Sequence, residues 1–249
     1  MVNSLDTAVL GRTGLEVTRL GYGAMAVNDV SEDEAGVILN SVLDSGINFL
    51  DTSIDYGRSE EFIGNHISNR RSEFYIASKC GCRVITDPSL GTHVFTRDNI
   101  TAGVNQSLAR MKTDYLDIVQ FHSSPAKSVL EENESIETLQ DLKRDGKIRF
   151  VGSSSVLPNI IDHLSMGVFD EFQIPYSALQ REHESIITDC AVAGIGTVIR
   201  GGVAQGEPGH GRGKEDTWSK FEEAGLDELR EDGESRSAFV LRFAITHPD

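Results

Sequence analysis

Cysteine is scarce in this chain: three residues, an odd count, give no disulfide framework. The opening stretch Met1-Val2-Asn3-Ser4-Leu5-Asp6 lacks the basic-then-apolar pattern of a secretory leader. Both absences point to a reducing, cytoplasmic setting. Positive charge is short as well. Against 39 Asp and Glu there are only 23 Lys and Arg, a formal net charge of −16, which disfavours a non-specific grip on nucleic acid or anionic membrane. A local basic pocket for a phosphorylated cofactor is still compatible with that balance. No apolar run approaches the ~20 residues that span a bilayer. No linker and no second composition regime divides residues 1–249, which read as one domain of a size that suits a single α/β barrel. Oligomeric state is left open.

What is present is alternation. Ala8–Leu10 and Leu15–Val17 flank the glycine-bounded turn Gly11–Gly14 as a small hairpin. Thr18–Gly23 reads as a short strand running into a glycine loop. Ser31 and Glu34 form a capping box for a helix that buries Ala35, Ile38, Val42 and Leu43 and stops at Gly46. Strands are expected at Ile47–Leu50, Phe74–Lys79, Leu116–Phe121, Ile148–Val151, Phe169–Ile174 and Thr197–Ile199, with helices between them near 60–68, 96–111, 133–145, 158–164 and 182–193. Two further helical pieces follow, near 217–224 and 235–246. Residues 82–95, 123–132 and 201–213 read as loops. Seven strands, each followed by helix, imply parallel pairing with helices outside. A barrel and an open doubly wound sheet both meet that description. The open sheet usually carries a glycine fingerprint after its first strand, which Gly21-Tyr22-Gly23-Ala24 only half matches. A barrel collects its functional groups at the C-terminal ends of many strands. Asp51, Lys79, His122, Ser154 and Gln173 fall at such ends in five different strands.

Three of these positions, Asp51, Lys79 and His122, make a chemical set with Tyr56. Tyr56 lies on the loop after Asp51, and a tyrosine exchanges a proton near neutrality only with help. Lys79 beside Tyr56 is expected to lower its pKa, Asp51 to hold Lys79 charged, and a neutral His122 to orient a carbonyl oxygen. The set delivers a proton to an oxygen gaining negative charge and supplies no electron source, so a hydride donor must be brought in. Cys80-Gly81-Cys82 is the one metal-like pair, but no other Cys or His lies at ligand spacing and no metal is expected.

In order and spacing, several stretches resemble the aldo-keto reductase superfamily along nearly the whole chain. They are Gly11-Arg12-Thr13-Gly14-Leu15-Glu16-Val17, Asn48-Phe49-Leu50-Asp51-Thr52 with Tyr56-Gly57, Ala77-Ser78-Lys79, Ser107-Leu108 with Arg110-Met111, Asp114-Tyr115-Leu116-Asp117 leading to His122, Gly146-Lys147-Ile148-Arg149 with Gly152, and Gln173 with Tyr176. The resemblance implies a TIM (β/α)8-type barrel and NADPH-dependent reduction of an aldehyde or ketone. It implies the catalytic tetrad Tyr56, Asp51, Lys79 and His122, with Tyr56 as general acid. Cofactor contacts then fall on Gly23, Asp51, Ser154, Ser155, Gln173, Arg200, Gly201 and Gly202. His122 favours carbonyl over enone reduction, because family members that reduce C=C bonds carry glutamate there. The same resemblance admits a slowly turning over or non-catalytic redox-sensing barrel, like potassium-channel β subunits.

Three departures stand out. Arg200-Gly201-Gly202 replaces the aromatic that many members stack on the nicotinamide, and Ser154-Ser155 replaces their Ser-Asn. The sequence stops at Asp249, where the family continues into an eighth strand, a clamp for the adenosine 2′-phosphate and a substrate loop. Only Arg200, Arg212, Lys214 and the glycine amides of 201–213 are left as phosphate ligands. Each lost charge-assisted bond is worth on the order of 1.5–3 kcal/mol. This 249-residue chain is therefore expected to bind NADPH weakly and prefer it little over NADH. Fluorescence titration with both cofactors measures this; tight, NADPH-selective binding means the 2′-phosphate site lies elsewhere.

Overall fold

The computed structural model describes residues 5–87 and 89–249. The leader reading at Met1–Ser4 and the Pro88 part of the 82–95 loop lie outside them. A two-stranded antiparallel hairpin, β1 (Thr7–Val9) and β2 (Glu16–Thr18), comes first. The chain then alternates: β3 (Tyr22–Gly23), α1 (Glu32–Asp44), β4 (Phe49–Asp51), α2 (Ser59–His66), β5 (Tyr75–Cys80), α3 (Arg97–Met111), β6 (Leu116–Phe121), α4 (Lys127–Glu132), α5 (Ser135–Arg144), β7 (Ile148–Ser154), α6 (Asn159–Met166), β8 (Glu171–Pro175), α7 (Glu184–Val192), β9 (Gly196–Arg200), α8 (Glu215–Glu223) and α9 (Arg236–Ile245). Strands β3 to β9 form one curled parallel sheet in sequential order, with β3 and β9 as its edges. This is the barrel-type fold with seven strands among the described residues.

Local chemistry explains most boundaries. The Ser31–Glu34 capping box is present in both directions, with Glu34 N donating to Ser31 Oγ (3.3 Å) and Ser31 N to Glu34 Oε2 (3.1 Å). Helix α1 buries Ala35, Gly36, Leu39 and Leu43, so Leu39, rather than Ile38 or Val42, fills the inner stripe. Residues 127–132, expected as loop, form the short helix α4, in which Leu130 alone is buried; one apolar anchor leaves no period to read. Strand β7 runs on to Ser154 because the backbone at 152–154 keeps pairing with β6 and β8.

Two cores flank the sheet. Outward-facing Leu50, Ile76, Val119, Phe172 and Ile174 pack under the helices. Inside the curl, Phe49, Ala77 and Ile118 meet Leu10, Leu15 and Val17 of the hairpin, which stoppers the N-terminal end. Beside that end, Asp117, 1% exposed, accepts from Arg71 and Arg149 at 2.6 Å each and from the Ile76 amide at 3.0 Å. Behind β5, buried Glu60 accepts from Ser78 (2.8 Å) and faces Arg110 (3.4 Å). Several of the family-like residues thus support the scaffold and touch no open surface of the site.

Above the apolar floor the interior turns polar. Lys79, Gln120, Gly152 and Glu171 lie side by side in register across β5 to β8. Gln120 Nε2 donates to both carboxylate oxygens of Glu171, at 3.0 and 3.1 Å. Gly152 makes room for this pair, since a Cβ there would stand 2.2 Å from Glu171 Oε2. Gly152→Ala should therefore overpack the layer and lower stability by about 1–3 kcal/mol, read as an earlier thermal or urea midpoint.

Candidate active site

Asp51 is the last residue of β4, and Lys79 sits one residue before the end of β5. Lys79 Nζ donates to Asp51 Oδ1 at 2.7 Å and to the Thr52 carbonyl at 2.9 Å. The lysine side chain is 1% exposed and the aspartate 16%. Burial opposes the ammonium charge, yet Asp51 and Tyr56 outweigh it and hold the lysine pKa above its ordinary value. Lys79 Nζ lies 5.3 Å from the centre of the Tyr56 ring. The His122 ring, one residue past β6, meets that ring edge-on at 6.2 Å. All four tetrad positions expected from the sequence stand next to one another at the strand ends.

The Tyr56 loop is tightly specified. Ser59 Oγ donates to the Ala24 carbonyl and shares a hydrogen bond with Thr52 Oγ1, both at 2.9 Å. The Tyr56 carbonyl accepts from Ser59 N. Gly57 has φ +55°, and a Cβ there would lie 2.0 Å from Asn28 Oδ1, the acceptor for Arg58 N. One expectation needs correction. Burial pushes the Tyr56 pKa up; Lys79 pulls it down as anticipated, but Asp51 and Asp55 add to burial and the net direction is upward. Before any ligand binds, Tyr56 is a proton carrier and not a phenolate.

The cofactor positions divide. Gln173 Nε2 donates to Asp51 Oδ1 (2.8 Å), and its Oε1 accepts from Ser154 Oγ (3.2 Å), so the amide belongs to the same network as the tetrad. Ser155 does not face this network. It is fully buried, with its hydroxyl between Ser124 Oγ (3.0 Å) and His163 Nδ1 (2.9 Å); strand alternation puts it with Ser153, which also approaches His163 Nδ1 (3.4 Å), on the face opposite Ser154. Gly23 pairs with Asp51 in the sheet, and a Cβ at Gly23 or Gly201 would meet nothing within 4 Å, so both backbones are open to approach. Gly202 is closer to protein, its Cβ position 3.7 Å from Ala244. Arg200 ends β9. Desolvation lowers its pKa against the opposing pull of Tyr56 and Asp51, and among the described residues it joins no salt bridge. An unpaired guanidinium, open glycine backbones and an amide beside the tetrad fit a nicotinamide cofactor. Arg212, by contrast, is paired with Asp29 at 2.9 Å, linking the loop after β9 to the loop after β3.

Sequence spacing missed a second cluster. Cys82 Sγ is 3.1 Å and Asp55 Oδ2 3.5 Å from His122 Nδ1, and the His93 ring stands edge-on to His122 at 5.2 Å. Burial opposes the Asp55 charge, but hydrogen bonds from His122 and Ser53 win and take its pKa well below the carboxylate range. Burial and Asp55 push the Cys82 thiol up to about 12. Asn99, fully buried in the first turn of α3, ties this wall together. Its Nδ2 donates to the carbonyls of Cys82 (3.0 Å) and Val94 (2.7 Å), and its Oδ1 accepts from Val84 N (2.9 Å) and Ile85 N (3.3 Å). An asparagine just inside a helix cap, after a loop without period, was the available signal. Sequence spacing shows no Cys or His beside the Cys80–Cys82 pair because the neighbours of Cys82 come from three loops: Asp55 after β4, His93 farther along the loop after β5, and His122 just past β6.

A curled parallel sheet thus carries a Lys–Asp pair, a tyrosine and a histidine at or just past its strand ends, the arrangement of a barrel-type fold with a polar site on one face. The chain belongs to the aldo/keto reductase family, whose model matches residues 19–228. It is 34% identical over 201 residues to an uncharacterised oxidoreductase, YqkF, of Bacillus subtilis, covering 79% of this chain and 64% of the relative. It is 28% identical over 218 residues to an NADH-specific methylglyoxal reductase of Escherichia coli, covering 79% of this chain and 67% of the relative. An aldo-keto reductase of Bacillus halodurans, solved in a holo form, superposes with a TM-score of 0.83 at 29% identity, covering 98% of this chain and 83% of that one. The chain spans less than two thirds of the length of the first of these curated relatives.

Beneath the site, burial raises the Glu171 pKa to about 8, with Asp51 adding to it and Gln120 and Lys79 opposing. The folded state therefore holds a proton that the unfolded chain has released above about pH 4.5. Its contribution is complete below that pH and is lost as pH rises toward 8. Glu171→Gln should flatten the fall in urea-unfolding stability across this window; an unchanged slope would assign the pH dependence elsewhere.

Proposed function

We propose that this protein reduces an aldehyde or ketone, taking hydride from NADPH, with Tyr56 as general acid. The observation that carries the reading is the position of Lys79, bonded to Asp51 at 2.7 Å and 5.3 Å from the Tyr56 ring, with His122 edge-on to that ring. When bound, the nicotinamide supplies the hydride. Gln173 and Ser154 would hold its carboxamide, while Gly23 and Gly201 would leave space for its approach and Arg200 would offer an unpaired cation. The proton comes from Tyr56, whose raised pKa keeps it on the oxygen through the neutral range. As charge builds on the substrate oxygen the proton passes to it, and Lys79 stabilises the phenolate left behind. Asp51 keeps Lys79 charged and fixed in position.

His122 orients the carbonyl. Its Nδ1 faces Cys82 Sγ at 3.1 Å. Asp55 Oδ2 stands 3.5 Å from the same nitrogen, so Cys82 and Asp55 together hold one edge of the ring and leave Nε2 for the substrate oxygen. The partner is a small carbonyl compound, and no nucleic acid or membrane is required. The NADH-specific relative leaves either reduced nicotinamide as a donor. Three free, buried cysteines support a cytoplasmic setting, and among the described residues no helix is long and apolar enough to cross a membrane.

Tyr56→Phe removes only the hydroxyl. Turnover across a panel of aldehydes should fall by about 10²–10⁴-fold, with cofactor affinity by fluorescence titration nearly unchanged. Equal loss of both would make Tyr56 structural, and full activity would remove it from the chemistry.

A further inference from the structure

The His122 side of the site carries a donor set that carbonyl reduction does not use as a whole. Asp55, Cys82, His93 and His122 each offer one ligand atom, and these atoms all lie within 4.8 Å of one another. They come from four separate stretches: the Tyr56 loop, the residues after β5, the far side of the 82–95 loop, and the end of β6. Backbone pairing holds two of them opposite each other. Cys82 and His93 form an antiparallel bridge, flanked by Arg83 N to Thr92 O (2.9 Å) and Val94 N to Gly81 O (2.6 Å). The buried Asn99 amide fastens the bridge to α3.

From this arrangement we propose that Asp55, Cys82, His93 and His122 form a Zn2+ site, and that its occupancy shuts off reduction at the adjoining tetrad. Four donors at about 2.0–2.3 Å from a tetrahedral zinc lie roughly 3.4 Å apart. Two edges are already near that length, at 3.1 Å for Cys82 Sγ to His122 Nδ1 and 3.5 Å for His122 Nδ1 to Asp55 Oδ2. The widest gap closes by little more than about 1 Å. The charges balance: one thiolate and one carboxylate neutralise the dication, and two neutral imidazoles complete the shell. The Cys82 thiol gives its proton to solvent as the sulfur–zinc bond forms, with no change of oxidation state. A sulfur ligand with two imidazoles selects zinc over magnesium or calcium. Outer partners exist as well. Ser53 Oγ donates to Asp55, and Ser123 Oγ lies 2.8 Å from His93 Nε2, orienting that ring.

The inhibitory half rests on the role proposed for His122. A zinc bonded to Nδ1 ties the His122 ring to the ion, and a displacement near 1 Å of a group that must orient the carbonyl costs on the order of 100-fold in rate. The added positive charge beside Tyr56 also favours the phenolate, a poorer acid donor.

The test is a titration of the protein with Co2+, followed by displacement with Zn2+. One equivalent should produce a thiolate-to-cobalt band in the near ultraviolet with intense visible bands of a four-coordinate ion, bleached by zinc. Cys82→Ser should remove the thiolate band. His93→Gln, a partly exposed loop position outside the proposed reduction chemistry, should weaken binding about tenfold or more while leaving metal-free turnover intact. Zinc should inhibit wild-type turnover at the concentration that fills the site, and His93→Gln should shift inhibition and binding together. A weakly absorbing, six-coordinate cobalt spectrum, or equal affinity in wild type and His93→Gln, overturns the site whatever the enzyme's activity. Stoichiometric binding without inhibition overturns the inhibitory half. Because the cobalt bands need no turnover, a failed reductase reading and a failed metal site give different results.

Discussion

The buried pair between Lys79 and Asp51 is the constraint around which this structure is arranged. An ammonium at 1% exposure has lost nearly all its water, and leaving it unpaired costs several kcal/mol. Its two partners, the Asp51 carboxylate and the Thr52 carbonyl, both sit where β4 ends. That requirement sets the length of β4, the start of the Tyr56 loop and the registration of β4 against β5. Gln173 reaches Asp51 from β8, across the sheet's curl, so the same carboxylate draws opposite walls of the interior together.

The interior can afford this polarity because it is stratified. Near the N-terminal ends of the strands it is hydrocarbon, stoppered by Leu10, Leu15 and Val17. Higher up it is a hydrogen-bonded layer in which Gln120 serves Glu171 and Gly152 leaves the room. The apolar floor excludes water and strengthens every electrostatic contact above it. Supporting ion pairs, such as Arg71 and Arg149 on Asp117, are kept at the other end or behind the sheet, where they fix strands without perturbing the site.

Much of this was legible in the sequence, for physical reasons that differ by element. The strands were readable because Leu50, Ile76 and Val119 face the helices while Asp51 and Lys79 face inward, and the alternation shows. The tetrad was readable because each member stands at or near a strand end, a position that alternation can count. Leu39 was passed over because its neighbours Ile38 and Val42 offered a rival stripe one step round the helix. Ser155 lies off the network because it follows Ser154 by one step, so the alternation that points Ser154 to Gln173 points Ser155 to His163 on the other face. The sign of the Tyr56 shift required the burial of the ring as well as the presence of Lys79. Cys82 and His93 were invisible as neighbours because their pairing closes a loop without periodicity, and the residue that enforces it, Asn99, lies outside that loop.

The Asn99 clamp has a consequence for how this fold can diversify. Four hydrogen bonds from one amide pin both stems of the 82–95 loop to α3, while the carbonyls of Asp87 and Leu90 farther out are held only by the side chain of Arg83 on one stem. Lengthening a loop whose ends are already held costs little, since closure entropy grows only with the logarithm of length. Insertions or deletions at the tip can therefore reshape the rim of the cavity while Cys82 and His93 stay where they are. The clamp makes this wall a socket into which different rims fit, with the chemistry below insulated from the change.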